Sequence, residues 1–181
     1  MRILTKFTRP VWFGWFYRGW FGWLGGEESM KDILLLLDAI HLPLCRPEYQ
    51  PREVKNANGH IEHISCCNTY VNEVCQIFGY KEFEGLLANQ MIDLMVSSPA
   101  WSLTGIDKAQ FLANQGSLVI AGLKAEPHGH VCVCVPGKEK TSGRWGVVPS
   151  VASVGKEVFI GKSLSWAFAD MPRFWAWRNS L

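Results

Sequence analysis

A change of hydrophobic period at Gly116 constrains this chain more than any other feature. Before it, apolar residues recur at helical spacing. After it, they alternate or run together in short stretches bounded by glycine and proline. Tyr70, Val71, Val74 and Phe78 make one apolar stripe, which predicts a helix over 68–78 stopped by Gly79. Two more helices are expected over about 86–96 and 106–114, the latter ended by Gly116. Upstream, Ser29-Met30-Lys31-Asp32 opens a leucine-rich helix over Ile33–His41, with Ser29 as its cap and Asp32 at the capping-box position. Pro43, Pro47 and Pro51 predict an extended loop over 43–59, and Asn58-Gly59 marks a turn. Beyond Gly116, 118–123, 130–135, 144–148 and 173–177 read as strands, the second stopped by Pro136-Gly137. Helices followed by an antiparallel sheet give an α+β fold. No low-complexity linker interrupts the chain, so residues 29–181 read as one domain after an aromatic-rich segment, 1–28.

The 181 residues, 48% of them hydrophobic and 19% charged, are enough to bury a sizeable core. A net charge of +2 is too weak to mark a nucleic-acid binder, and no nucleic-acid partner is expected. Six cysteines would suit a secreted disulfide scaffold, but their layout argues against one. Cys66 and Cys67 are adjacent, and Cys132 and Cys134 lie two apart in an apolar run, where bridging geometry is rare. Most of the six are read as free buried thiols.

The first residues carry the tetrapeptide WFGW twice, at 12–15 and 20–23, among Arg2, Lys6, Arg9 and Arg18. A secretory signal would need an aliphatic middle and a small-residue cleavage site, and both are missing. The block is also too short for a membrane span, which takes about 20 apolar residues. Trp12, Trp15, Trp20 and Trp23 together with arginine suit the membrane–water interface. Packing of these rings on the domain, an untidy tail, or a weak signal-anchor are the competing readings.

Cysteine hydrolases need a thiolate, an imidazole and a group to orient that imidazole. A helix N-terminus favours a thiolate through its dipole and its free amides. Cys67 sits where the helix over 68–78 should start. Cys66 competes with it, but Cys67 lies one turn before Tyr70 and Val71 on the apolar face. The preceding residues, 60–65, read as polar and irregular. The base candidate is His130, first residue of its strand, after Pro127-His128-Gly129. Alternation puts His130, Cys132 and Cys134 on one face and the three valines on the other. That His130 face is small enough to take a closely packed helix, and the Cys67 helix is expected there. Taken alone, His130 equally suits a hydrogen-bonded structural role.

Cys67-Asn68-Thr69-Tyr70-Val71 resembles the Cys-Asn-x-aromatic-Val nucleophile motif of the CHAP and NlpC-like peptidoglycan amidases and endopeptidases. Further pieces resemble the same group in the same order: Ala88-Asn89-Gln90-Met91, Ala113-Asn114-Gln115-Gly116 leading into Leu118–Ala121, Gly129-His130-Val131, Val135-Pro136-Gly137 and Val148-Pro149-Ser150-Val151. The resemblance covers roughly residues 58–170. It implies a papain-like fold, no metal or other cofactor, and a Cys67–His130 pair cutting an amide or peptide bond. Peptidoglycan stem peptide is the implied substrate, at the bacterial cell wall, in the periplasm or outside the cell. The family usually orients its histidine from the next strand with a polar residue, yet 145–153 holds no Asn, Asp, Glu or His. Ser150 or Ser153, a backbone carbonyl or a water is left for that role. The oxyanion donors would be the Cys67 amide and a group near Ser65.

Three rival readings differ in chemistry. A zinc site has enough Cys and His, but neither CC nor CxC is the C-x₂-C knuckle, and no H-E-x-x-H occurs. A non-enzymatic protein would bind membrane or wall through its Trp-rich end. An acyltransferase would use the same Cys–His pair on lipid.

Overall fold

A computed structural model describes residues 27–178 except 51, 56–57, 60 and 65, with side chains from Ile33 onward except at 42–43, 52–55 and 61–64. The stretch carrying Trp12, Trp15, Trp20 and Trp23 lies outside the described residues, as does Ser65. The helices are α1 (Glu27–Leu44), α2 (Cys67–Ile77), α3 (Ala88–Ser97) and α4 (Ile106–Asn114). The strands are β1 (Arg52–Lys55), β2 (Ile61–Ile64), β3 (Trp101–Thr104), β4 (Val119–Leu123), β5 (His130–Cys134), β6 (Lys140–Ser142), β7 (Gly146–Val148), β8 (Ser150–Val154), β9 (Val158–Ser163) and β10 (Arg173–Trp177). Six strands form the main sheet in the order β3-β10-β4-β5-β8-β9, every neighbouring pair antiparallel. The pairs β1–β2 and β6–β7 are separate two-stranded ribbons. The fold is α+β.

Several expected boundaries change. Helix α1 starts at Glu27, so Ser29 falls inside it rather than capping it. It also runs through Pro43 to Leu44, because Ile40 and Leu44 are buried and hold its last turn on the core. The expected loop over 43–59 contains β1, and the expected irregular stretch 60–65 contains its partner β2. Strand β3 lies between two helices yet joins the main sheet at its edge, beside β10. Gly79 and Gly116 end their helices as expected, with φ of 87° and 84°, a region that costs glycine little.

The main sheet is covered on both faces. Ile120, Val131, Val133, Ala152 and Trp175 share one core cluster with Tyr70, Val71 and Val74 of α2, Met91 and Ile92 of α3, and Leu36 and Ile40 of α1. Ala121, Cys132, Cys134, Val151 and Phe174 share the other with Ala109 and Ala113 of α4. Tyr70, Val71 and Val74 are fully buried, and each such apolar side chain contributes about 1.5–3 kcal/mol. Bulk is matched to bulk: the valine face takes α2, and the small Ala/Cys face takes the alanines of α4. An aromatic group of Tyr80, Phe83, Trp101 and Trp177, with centroids 4.8–6.0 Å apart, anchors the 80–87 turn to β3 and β10.

Candidate active site

Cys67 is the first residue of α2 and is 5% exposed. Its neighbours along the stripe, Tyr70 and Val71, point it into the core rather than to solvent. The flanking Cys66 is partly buried against the same cluster, its Sγ 3.7 Å from the carbonyl of Glu48 in the turn after α1. Two anchors hold this end of α2. Asn68 donates to the Leu86 carbonyl at 2.9 Å, and the Tyr70 hydroxyl donates to the Ile40 carbonyl at 3.2 Å. Dipole and helix end together favour negative charge at this point of the chain.

His130 opens β5 and is partly buried. Ser153 Oγ lies 2.9 Å from its Nε2. Phe168 meets the ring edge-on, with centroids 5.1 Å apart. Gly155 lies close enough that a Cβ there would come within 3.3 Å of His130 Cε1, so glycine makes room for the imidazole. Burial lowers the His130 pKa from 6.5 to about 4, because desolvation penalises the charged ring. The imidazole is therefore neutral near pH 7, and Nδ1 has no hydrogen-bond partner among the described residues.

The approach to His130 is fixed by Asn89 on α3. Its amide donates to the Ala125 carbonyl at 3.0 Å and accepts from the Ala125 amide at 3.3 Å. Gly129 packs on the same side chain, where a Cβ would sit 2.2 Å from Asn89 Oδ1 and 2.8 Å from the Leu123 carbonyl. The Asn in Ala88-Asn89-Gln90-Met91 thus clamps the loop that delivers His130. On the far end of β5, Gln110 of α4 is 2% exposed and joins the Val135 carbonyl to the Ser150 amide.

The structure brings His130 and Ser153 together, while Ser150 is engaged through its backbone with Gln110. It places Cys67 and His130 differently from expectation. The alternation along β5 holds, since Cys132 and Cys134 share one cluster and the valines the other. The helix on the His130 face is α4, however, and α2 with Cys67 covers the valine face. His130 rests on Phe168, which belongs to the α4-side cluster. The reason is side-chain size: Tyr70 and Val71 fit against valines, and only the Ala109–Ala113 edge fits against cysteines and Ala121. Burial pushes the Cys132 thiol pKa well up, with lesser contributions from Cys134 and Cys67. Cys67 belongs to the α2-side cluster with Val131 and Val133.

No disulfide joins the six cysteines; Cys67, Cys75, Cys132 and Cys134 are buried, and Cys45 is exposed. Among the described residues no group of three or more His, Cys, Asp or Glu side chains is placed to hold a metal ion. No helix among them is long and apolar enough to cross a membrane. No family model and no curated protein matches the chain. Sequence reasoning missed Phe168, Gly155 and the Asn89 clamp. Phe168 is distant in sequence and carries no local signal, whereas Asn89 had already stood out in the Ala88–Met91 motif.

Proposed function

We propose that this chain is a papain-like cysteine hydrolase that cuts an amide bond in bacterial cell-wall peptide, with Cys67 as nucleophile, His130 as base and Ser153 as the group that orients the base. The observation that carries this reading is the His130–Ser153 pair. When Nε2–H donates to the Ser153 hydroxyl, Nδ1 is left to receive a proton, and burial keeps the ring neutral. The thiol at the start of α2, a helix packed on β5, is the matching nucleophile. The reaction requires thiol and imidazole to meet on one side of β5, where the thiol proton passes to Nδ1 as sulfur adds to the carbonyl carbon. The same proton then leaves with the amine, and water releases the acyl group. The sequence resemblance supplies the substrate class. In this reading the Trp-rich N-terminal stretch adds contact with a lipid surface.

Because thiol and imidazole lie on two sides of β5, the decisive experiment measures whether they act as a pair. Iodoacetamide should alkylate Cys67 faster than any other cysteine, and His130→Ala should slow that alkylation at least about tenfold. Cys67→Ala should abolish peptidoglycan hydrolysis while Cys66→Ala keeps most of it. Alkylation at an unchanged rate in His130→Ala, or hydrolysis surviving in Cys67→Ala, overturns the assignment.

A further inference from the structure

Next to the imidazole, on the α4 side of the sheet, lies a cavity of about 240 Å³ between the 142–145 turn and the 165–169 segment. Phe168 lines this cavity with one part of its ring and meets His130 with its edge at 5.1 Å. A group held there sits one aromatic ring away from His130. The size suits a single amino-acid residue rather than a drug-sized ligand.

The lining has one sign of charge. Among the described residues Arg144 is its only ionic side chain, and its guanidinium lies 5.9 Å from the centroid of the Trp145 indole. One of its nitrogens donates to the carbonyl of Ala169, which also lines the cavity, and four N–H groups remain for other acceptors. Ser142 is 4% exposed and accepts from the backbone amides of Arg144 and Trp145, both at 3.3 Å, which fixes the turn. Its own hydroxyl proton remains to be donated. Ser165 adds a second hydroxyl, which shares a hydrogen bond of 3.1 Å with Ser163. A planar cation, hydroxyl donors and an indole wall match a carboxylate attached to a small apolar residue.

We propose that this cavity is a recognition subsite for a carboxylate-bearing residue of the peptide substrate, with Arg144 as the residue that reads the carboxylate. The inference rests on the reading of His130 as the base, since that reading makes a neighbouring cavity a substrate site. It adds a selectivity: peptides with a free carboxylate bind, and their amidated forms do not.

The test is calorimetric titration of the full-length Cys67→Ala protein with N-acetyl-alanyl-alanine and with its C-terminal amide. The carboxylate form should bind at least about tenfold tighter, the usual worth of a charge-assisted hydrogen bond. Arg144→Gln should remove that preference, and Arg144→Lys, which keeps the charge but loses the planar fork, should keep only part of it. Equal binding of the two probes, or a preference that survives Arg144→Gln, overturns the subsite. Turnover is measured separately on the unsubstituted protein. An Arg144-dependent preference in a protein without hydrolase activity would keep the subsite and remove the hydrolase reading.

Discussion

Ser153 Oγ meets His130 Nε2 at 2.9 Å across the β5–β8 pair, a contact in which either group can donate. When Nε2–H donates to Ser153, the lone pair is on Nδ1, where a base needs it. Ser153→Ala removes the acceptor and frees the ring to rotate or exchange tautomers. Hydrolysis should fall about tenfold to a hundredfold, the range seen when an orienting partner is lost. Stability should drop by about 1 kcal/mol. Ser150→Ala should leave the rate unchanged, because Ser150 is held through its backbone amide. The imidazole ¹⁵N shifts of His130 separate the two cases, since only Ser153→Ala should change the tautomer balance.

The low His130 pKa makes folding depend on acid. Burial lowers it to about 4 in the folded chain against 6.5 when exposed, so between these values the unfolded chain binds more protons. Stability from this group is therefore complete above about pH 6.5, is lost as pH falls towards 4, and changes no further below that. The total is about 3 kcal/mol. Urea unfolding at pH 4, 5, 6 and 7 should show this loss, and His130→Asn should flatten that part of the profile. A His130→Asn profile parallel to that of the original chain would remove His130 as the cause.

The conformational room before His130 gives a second handle. A methyl at residue 129 would meet Asn89 Oδ1 at 2.2 Å and the Leu123 carbonyl at 2.8 Å, and the latter is backbone that cannot swing away. Gly129→Ala should cost about 1–3 kcal/mol, the usual cost of overpacking. It should also lower hydrolysis by displacing His130. Adding Asn89→Ala relieves only the side-chain clash, so the double variant should recover part of the stability. Full recovery would mean that the Leu123 carbonyl moves freely. A thermal melt of the original chain and the two variants decides this.

Much of this arrangement was legible in the residues themselves. The stripe of Tyr70, Val71 and Val74 and the stops at Gly79 and Gly116 located α2 and α4 within a residue or so, because helical period and left-handed glycine are local signals. The α+β order and the two faces of β5 followed from alternation. Which helix covers which face did not. Alternation divides Cys132 and Cys134 from Val131 and Val133, but the choice between α2 and α4 depends on the fit of side chains far apart in sequence. Strand β3 was missed for a similar reason. Trp101–Thr104 is four residues long and becomes a strand only through pairing with Phe174–Trp177 at the other end of the chain. Ser153 was one of two serines the sequence left open, and only the register of β8 against β5 separates them.

That register depends on Gln110. The chain leaves the sheet after Val135 and returns at Ser150, with the β6–β7 ribbon between. Gln110 Nε2 donates to the Val135 carbonyl at 2.9 Å and Oε1 accepts from the Ser150 amide at 2.8 Å, so one buried amide ties both ends of the excursion. The same Nε2 is 3.0 Å from Asn114 Oδ1, which in turn accepts from the Gly137 amide at 2.7 Å. Gln110→Ala orphans a buried carbonyl and a buried amide and opens a cavity, so it should cost about 2–4 kcal/mol. Gln110→Glu keeps the volume and the bond from Ser150, but at neutral pH it turns a carboxylate towards two acceptors. Burial and those acceptors raise the pKa of such a glutamate, so its protonation at lower pH restores a donor. Gln110→Glu should therefore recover stability relative to the original chain as pH falls from 8 to 5, opposite in sign to the loss that His130 causes. Urea unfolding of the three proteins at both pH values measures this. A Gln110→Ala protein within about 0.5 kcal/mol of the original would show that β5 and β8 keep their register without the clamp. If the clamp does set that register, both variants should also lower hydrolysis, because Ser153 reaches His130 only when β8 is seated correctly on β5.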